Sequence, residues 1–230
     1  MLSDLLYSFR DFDFLFNLFG YISFRSGLSL VTSFLIVLIL MPYWIRLQQN
    51  IFPSGQPIRN DGPESHFYKK GTPTLGGALI LFSIIFSSIL WTSNFSNFNY
   101  ILILTLILFG FIGFFDDLQK VKLGKGISSK TKFLCQLSAT IIIYFTIKYN
   151  GFDLNKFSIP FLKNISIEIG YFYFVLILLI VIGSTNATNL TDGLDGLVSM
   201  PLVFVFLTFA IFAYVLGNIN FSDYLLVNYI

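Results

Sequence analysis

Three groups of residues in this chain could do chemistry. Asp116 and Asp117 stand side by side in "FFDDLQK", directly after an apolar run. Asn186, Asn189, Asp192 and Asp195 recur at intervals of three in "NATNLTDGLDGL", residues 186–197, again after an apolar run. Lys69, Lys70, Thr72 and Thr74 are gathered in "DGPESHFYKKGTPTLGG", residues 61–77. An adjacent acidic pair can hold a divalent cation, because Mg2+ is usually bound by one or two carboxylates, substrate phosphates and water. It can also be closed by Lys120, which stands four residues after Asp116 and three after Asp117, the favourable helical order, at about 0.5 kcal/mol on an exposed helix. Both readings fit the spacing.

The Asn/Asp series would form one polar stripe if the preceding helix continued, since positions three apart share a face. Gly193 and Gly196 argue that the helix ends inside the motif. Thr191 or Asp192 would then cap the next helix, with Asp195 at its amino end. Capping accounts for one or two of the four residues, and a polar cradle for a ligand accounts for the rest. A calcium loop is excluded because Val203 occupies the twelfth position from Asp192. The Lys/Thr/Gly segment offers ammonium groups, hydroxyls and free N–H groups at a helix start, an arrangement suited to anions. It lacks the P-loop order. His66, the only His, reads as a surface residue of that loop.

The elements that must position these groups are membrane helices. The chain is 55% hydrophobic and 11% charged, with 29 Phe, against about 25% charged in a soluble domain. Six stretches approach the roughly 20 residues that cross a bilayer: about 27–47, 76–93, 98–115, 131–149, 170–187 and 196–216. The expected fold is therefore an all-α, polytopic transmembrane bundle forming a single integral domain over residues 1–230, with no internal repeat. Residues 11–21, rich in Phe, read as an interfacial helix. Cys135 is the sole Cys, so no intrachain disulfide is expected. The loops 48–75 and 116–130 hold the clustered Lys and Arg, which places both, and the loop near 188–195, on the cytoplasmic side. The sites "NAT" and "NLT" then lie on the wrong face for glycosylation. Acidic residues near membrane depth also serve transporters, which would keep them near the midplane. A transporter-like or inactive bundle is the alternative.

The segments "FNLFGYISFRSGL", "GQPIRNDGPESHFYKKGTPTLGG", "GFFDDLQK", "KGISSKTKFLCQ" and "NATNLTDGLDGL" occur in order, and together they resemble the polyprenyl-phosphate N-acetylhexosamine-1-phosphate transferases. "DGPESH" followed by "KKGTPT" points to the members that move phospho-MurNAc-pentapeptide from UDP-MurNAc-pentapeptide to undecaprenyl phosphate and release UMP. The resemblance implies Mg2+ as cofactor, an active site on the cytoplasmic face of the bacterial inner membrane, membrane lipid as surroundings and a homodimer in some members. Nucleic acid is not an expected partner. By motif match Asp116, Asp117 and Asp192 are the catalytic acids, with Asp117 and Asp192 on the metal. In one family proposal the first acid deprotonates the lipid phosphate. Lys69, Thr74, Lys120 and Lys132 fall on positions tied to substrate phosphate and uridine, and Asn186 and Asn189, with Asp195 beside them, on the stretch that reaches nucleotide and metal. Lys70 and Thr72 join the substrate-binding set as phosphate donors read from the residues themselves. The family has about ten spans, so the resemblance implies a C-terminally truncated chain, lacking a further Asp and a His-rich loop.

Overall fold

The computed structural model describes residues 2–53, 55, 73–152, 154, 156–158, 166–192, 196–225, 227 and 229. Its elements are α1 (Leu2–Tyr7), a 3-10 helix (Phe14–Gly20), α2 (Ile22–Ile51), α3 (Gly76–Trp91), α4 (Asn97–Leu123), α5 (Ser129–Tyr149), β1 (Lys156–Ser158), β2 (Ser166–Glu168), α6 (Phe172–Thr191), α7 (Ser199–Leu216) and α8 (Ile219–Leu225). The chain forms two compact units, Met1–Ala139 and Thr140–Ile230. It is an all-α polytopic membrane fold. The strands are three residues each, paired antiparallel with Lys156 opposite Glu168.

Helices occupy all six places where the sequence predicts spans, but among the described residues only α2, α4, α6 and α7 are individually long and apolar enough to cross a membrane. The other two fall short for different reasons. The 16 residues of α3 span about 24 Å, against about 30 Å of hydrocarbon. α5 has 21 residues, but Lys130, Lys132, Gln136, Ser138, Thr140 and Thr146 interrupt its apolar surface. The Phe-rich amino-terminal stretch forms the seven-residue 3-10 helix, whose first turn is capped by Asp13 Oδ1 accepting from Leu15 N at 2.9 Å.

Packing in the first unit differs from that of a soluble protein, because polar and small residues are buried beside Leu75, Leu79 and Ile101. Large apolar side chains such as Phe34, Leu38, Phe82, Leu102 and Phe111 point outward, whereas Ser83, Ser87, Gln136 and Ala139 are buried. Lipid tails are as apolar as Leu, so burying Leu against Leu yields little there. Small residues that allow close helix approach are favoured instead. The Ser83 and Ser87 hydroxyls donate to Ile80 O at 2.7 Å and Ser83 O at 2.6 Å, which meets their hydrogen-bonding needs inside α3.

The most extensive helix contact is between α2 and α3, and it is pinned at both ends by polar bonds. At one end Trp44 Nε1 donates to Leu75 O at 3.0 Å, and Gln48 Oε1 accepts from Leu75 N at 3.3 Å. Two side chains one turn apart on α2 therefore hold both polar backbone groups of the residue that precedes α3. At the other end Arg25 donates to Ser93, Trp91 Nε1 donates to Thr32 Oγ1 at 3.0 Å, and Phe19 stacks on Trp91 with centroids 6.1 Å apart. Val121 of α4 lines the same small cavity as Gln48, Thr74 and Leu75. The end of α2, the start of α3 and the end of α4 thus meet.

In the second unit Tyr144 meets Phe174 edge-on at 4.8 Å, tying α5 to α6. Asn218 Oδ1 accepts from Asn220 N and Phe221 N at 3.0 and 3.4 Å, starting α8.

Replacing Gln48 with Leu leaves the buried Leu75 N–H without its acceptor, a cost of about 1–3 kcal/mol. The expected result is a lower thermal midpoint in detergent for Gln48→Leu than for Gln49→Leu, whose parent side chain is exposed. Equal midpoints would show that Gln48 does not hold the start of α3.

Candidate active site

The acidic pair lies inside α4, not at its end. The helix runs eight residues beyond the predicted boundary at 115 and closes at Gly124, which adopts φ 71° as its C-cap and donates its N–H to Lys120 O at 3.0 Å. The apolar pattern ends at Phe115, but the helix does not, because its next two turns satisfy their own charges. Lys120 Nζ lies 3.0 Å from Asp116 Oδ2 and 2.8 Å from Asp117 Oδ1. Lys120 and Lys122 sit in the last turn, where cations complement the negative end of the helix dipole.

The chain then turns back. Ile127 N donates to Asp116 Oδ1 at 2.9 Å. Ser128 starts α5, its Oγ accepting from Thr131 N at 3.2 Å and its carbonyl from Lys132 N at 2.9 Å. One turn into α5, Lys132 Nζ reaches Asp116 Oδ2 at 3.1 Å. Asp116 is thus held by its own helix, by the turn and by the next helix. Its two oxygens take one amide and two ammonium groups.

The two acids differ in exposure. The Asp116 side chain is 7% exposed and that of Asp117 is 34% exposed. Among the described residues Asp117 makes one ion pair, through Oδ1, which leaves Oδ2 uncommitted. The sequence left a Lys120 salt bridge and a cation site as alternatives. The structure contains the salt bridge, and the second oxygen of Asp117 keeps the other use open. Two carboxylates and two ammonium groups make a formally neutral cluster. Among the described residues no three His, Cys, Asp or Glu side chains converge.

Thr74 lies at the same end of the unit, lining the small cavity with Gln48 and Val121. Lys69, Lys70 and Thr72 lie outside the described residues, as do His66 and Asp195. A larger cleft of about 460 Å3 runs between α2 and α3, lined by residues such as Leu40, Trp44, Leu79 and Phe82. It has no charged lining, so it contributes no chemistry of this kind.

The second polar motif belongs to the other unit. α6 continues through Thr191 and ends at Asp192, so the helix does stop within the motif. Asn186 and Asn189 share a helical face one turn apart. Asn186 Nδ2 donates to Ile182 O at 2.9 Å. Thr191 Oγ1 bonds back to Ala187 O at 2.9 Å. α7 starts after Val198 with no side-chain cap. The expected capping of the next helix by Thr191 or Asp192 is therefore not what these residues do. Thr191 is satisfied within α6, and Asp192 is exposed at its C-cap.

Sequence reasoning missed Gly126 and Ile127. The glycines at 124 and 126 were the available signal: the first marks a helix stop, and the second has no role in the helix.

The fold and this cluster define a membrane protein with a charged site in the last turns of a long helix. A family model for glycosyl transferase family 4 matches residues 99–229, more than half of the chain, and the chain belongs to that family. It is similar to proteins named phospho-N-acetylmuramoyl-pentapeptide-transferase. The one from Desulfotalea psychrophila is 41% identical over 218 residues, covering 94% of this chain and 60% of the relative. The one from Rickettsia prowazekii is 40% identical over 217 residues, covering 93% and 60%. The one from Desulforapulum autotrophicum is 43% identical over 233 residues, covering 100% and 64%. The chain therefore spans about 60% of the length of these curated relatives. The resemblance read from the motifs is borne out.

Because Lys120 bridges both acids and Lys132 only one, Lys120→Met should lower the thermal midpoint more than Lys132→Met. Losing a partner of a buried charge costs about 3–5 kcal/mol when nothing replaces it, and the Lys132 variant keeps Lys120 and the Ile127 N–H on Asp116. The reverse order would contradict the shared-lysine geometry.

Proposed function

We propose that this chain forms part of the active site of a membrane transferase that moves phospho-MurNAc-pentapeptide from UDP to undecaprenyl phosphate, on the cytoplasmic face of the bacterial inner membrane. The observation that carries the reading is the Asp116–Asp117–Lys120–Lys132 cluster at one end of α4, together with relatives that bear the transferase name over more than nine-tenths of the chain.

In this reading an oxygen of the lipid phosphate attacks the β-phosphorus of the UDP-sugar. The bond from that phosphorus to the oxygen it shares with the α-phosphate breaks, and UMP leaves. Phosphoryl transfer depends mainly on positioning and charge neutralisation, and the residues divide accordingly. Lys120 and Lys132 bring positive charge to the phosphates. Lys69, Lys70, Thr72 and Thr74 add donors from the stretch of sequence before α3, and Asn186, Asn189 and Asp195 take the nucleotide and sugar. Asp117 and Asp192 are the carboxylates that would hold Mg2+, which when bound neutralises charge on the transferring phosphates. Asp116 fixes the two ammonium groups, and to act as a base it would first have to release them. A homodimer is part of the same proposal, by family resemblance.

The test is UMP release in detergent from UDP-MurNAc-pentapeptide, undecaprenyl phosphate and Mg2+. Asp117→Ala and Asp192→Ala should each lower it by about a hundredfold or more, as loss of a preorganised electrostatic group does. Chelation should stop it and added Mg2+ should restore it. The variants are made both in this chain and in a chain extended to the length of the curated relatives. Near-normal release in both variants overturns the site, whereas release by the extended chain alone means that these residues form one part of it.

A further inference from the structure

The turn between α4 and α5 closes on Asp116 around a residue with no side chain. A Cβ built on Gly126 would lie 2.6 Å from Asp116 Oδ1, 3.2 Å from Lys120 Cε and 3.3 Å from Lys120 Cγ. The two glycines of "GKGIS" therefore serve different needs. Gly124 is required for conformation, at φ 71° with open space around it, whereas Gly126 is outside the positive-φ set and is required for space. The next residue supplies the Ile127 N–H that Asp116 Oδ1 accepts at 2.9 Å, while Asp116 Oδ2 takes Lys120 and Lys132. The crowded oxygen and the amide-bound oxygen are the same atom.

We propose that Gly126 is a positioning residue for the acidic pair. Its bare Cα lets the turn approach until the Ile127 N–H saturates Oδ1, which turns Oδ2 toward the two ammonium groups. Lys120, fixed by that carboxylate, then takes Oδ1 of Asp117 and leaves the other oxygen of Asp117 for the ligand. A Cβ at position 126 would push the carboxylate, the lysine stem or the turn away, and each displacement breaks the same arrangement. The consequence for catalysis rests on the proposed transferase reading. The clamp itself rests on geometry alone.

The experiment measures hydrogen exchange at the Ile127 amide in the full 230-residue chain, 15N-labelled at Ile, in detergent, together with UMP release. The variants are Gly126→Ala, Asp116→Ala and the double substitution. Each single substitution should cost about tenfold or more of Ile127 protection, as expected for an amide bonded to a charged acceptor. The double variant should lose no more than either single one, because both act on one bond. In Gly126→Ala, kcat should fall by about tenfold while KM for the UDP-sugar changes less, the pattern of a group needed in the transition state. Wild-type protection in Gly126→Ala overturns the proposal, as do additive losses in the double variant or an unchanged kcat with protection lost. If Gly126→Ala does not fold, the double variant decides. Its recovery supports the steric encounter with Asp116, and its failure overturns it. If the 230-residue chain releases no UMP, the kcat comparison is made in the chain extended to the length of the curated relatives. No release there removes the transferase reading, and the exchange results still decide the clamp.

Discussion

A carboxylate that is nearly excluded from water next to an apolar helix has to be paired, because an unpaired buried charge costs several kcal/mol. Asp116 is in that position, and the first unit is arranged around its pairing. Lys120 comes from the same helix, the Ile127 amide from a turn and Lys132 from the following helix. Meeting that requirement extends α4 past its apolar stretch, fixes the turn at 124–128 and sets where α5 begins. It also sorts the two acids. Only one carboxylate can sit at the centre of such a network, and its neighbour, Asp117, is left at the rim with an oxygen to offer.

The remainder of the unit holds this end in place without a conventional core. Many side chains that would fill the interior of a soluble protein face outward, and Ser, Gln and Ala are among the residues inside. Since apolar contact gives little net gain in lipid, directional polar bonds and close approach fix the helices. The bracket of Trp44 and Gln48 on Leu75 is one such device, and the Arg25–Ser93 and Trp91–Thr32 bonds at the far end are others. Thr74 immediately precedes the bracketed residue, so the bracket also fixes where Thr74 stands.

Membrane class, helix placement and the polar motifs were legible in the sequence because composition, apolar length and motif order all bear on them directly. The Lys120 bridge was legible because i, i+3 and i, i+4 spacing decides which side chains can meet on a helix. The end of α4 was not. Hydropathy stops at Phe115, and only the charge pairing and Gly124 carry the helix on to Leu123. The approach of Ile127 to Asp116 was illegible for a different reason. It is a backbone contact, and side-chain types do not encode it except through the absence of a side chain at Gly126. The short α3 and the polar interruptions of α5 were visible, but a length criterion treats a helix lying against α2 like one facing lipid alone.

The depth of the acidic pair bears on what it can do. α4 starts at Asn97, beside the polar residues Ser93, Asn94 and Ser96. Nineteen residues later, at Asp116, the helix has risen about 29 Å at 1.5 Å per residue, nearly the whole of a hydrocarbon core about 30 Å thick. A transporter coupling acid would sit near half that depth. On the proposed function, a carboxylate at this depth would face headgroup phosphates from the membrane and soluble phosphates from the aqueous side. Chemistry that joins a lipid phosphate to a nucleotide-borne one needs that boundary. The cluster supplies there two fixed ammonium groups and one uncommitted carboxylate oxygen.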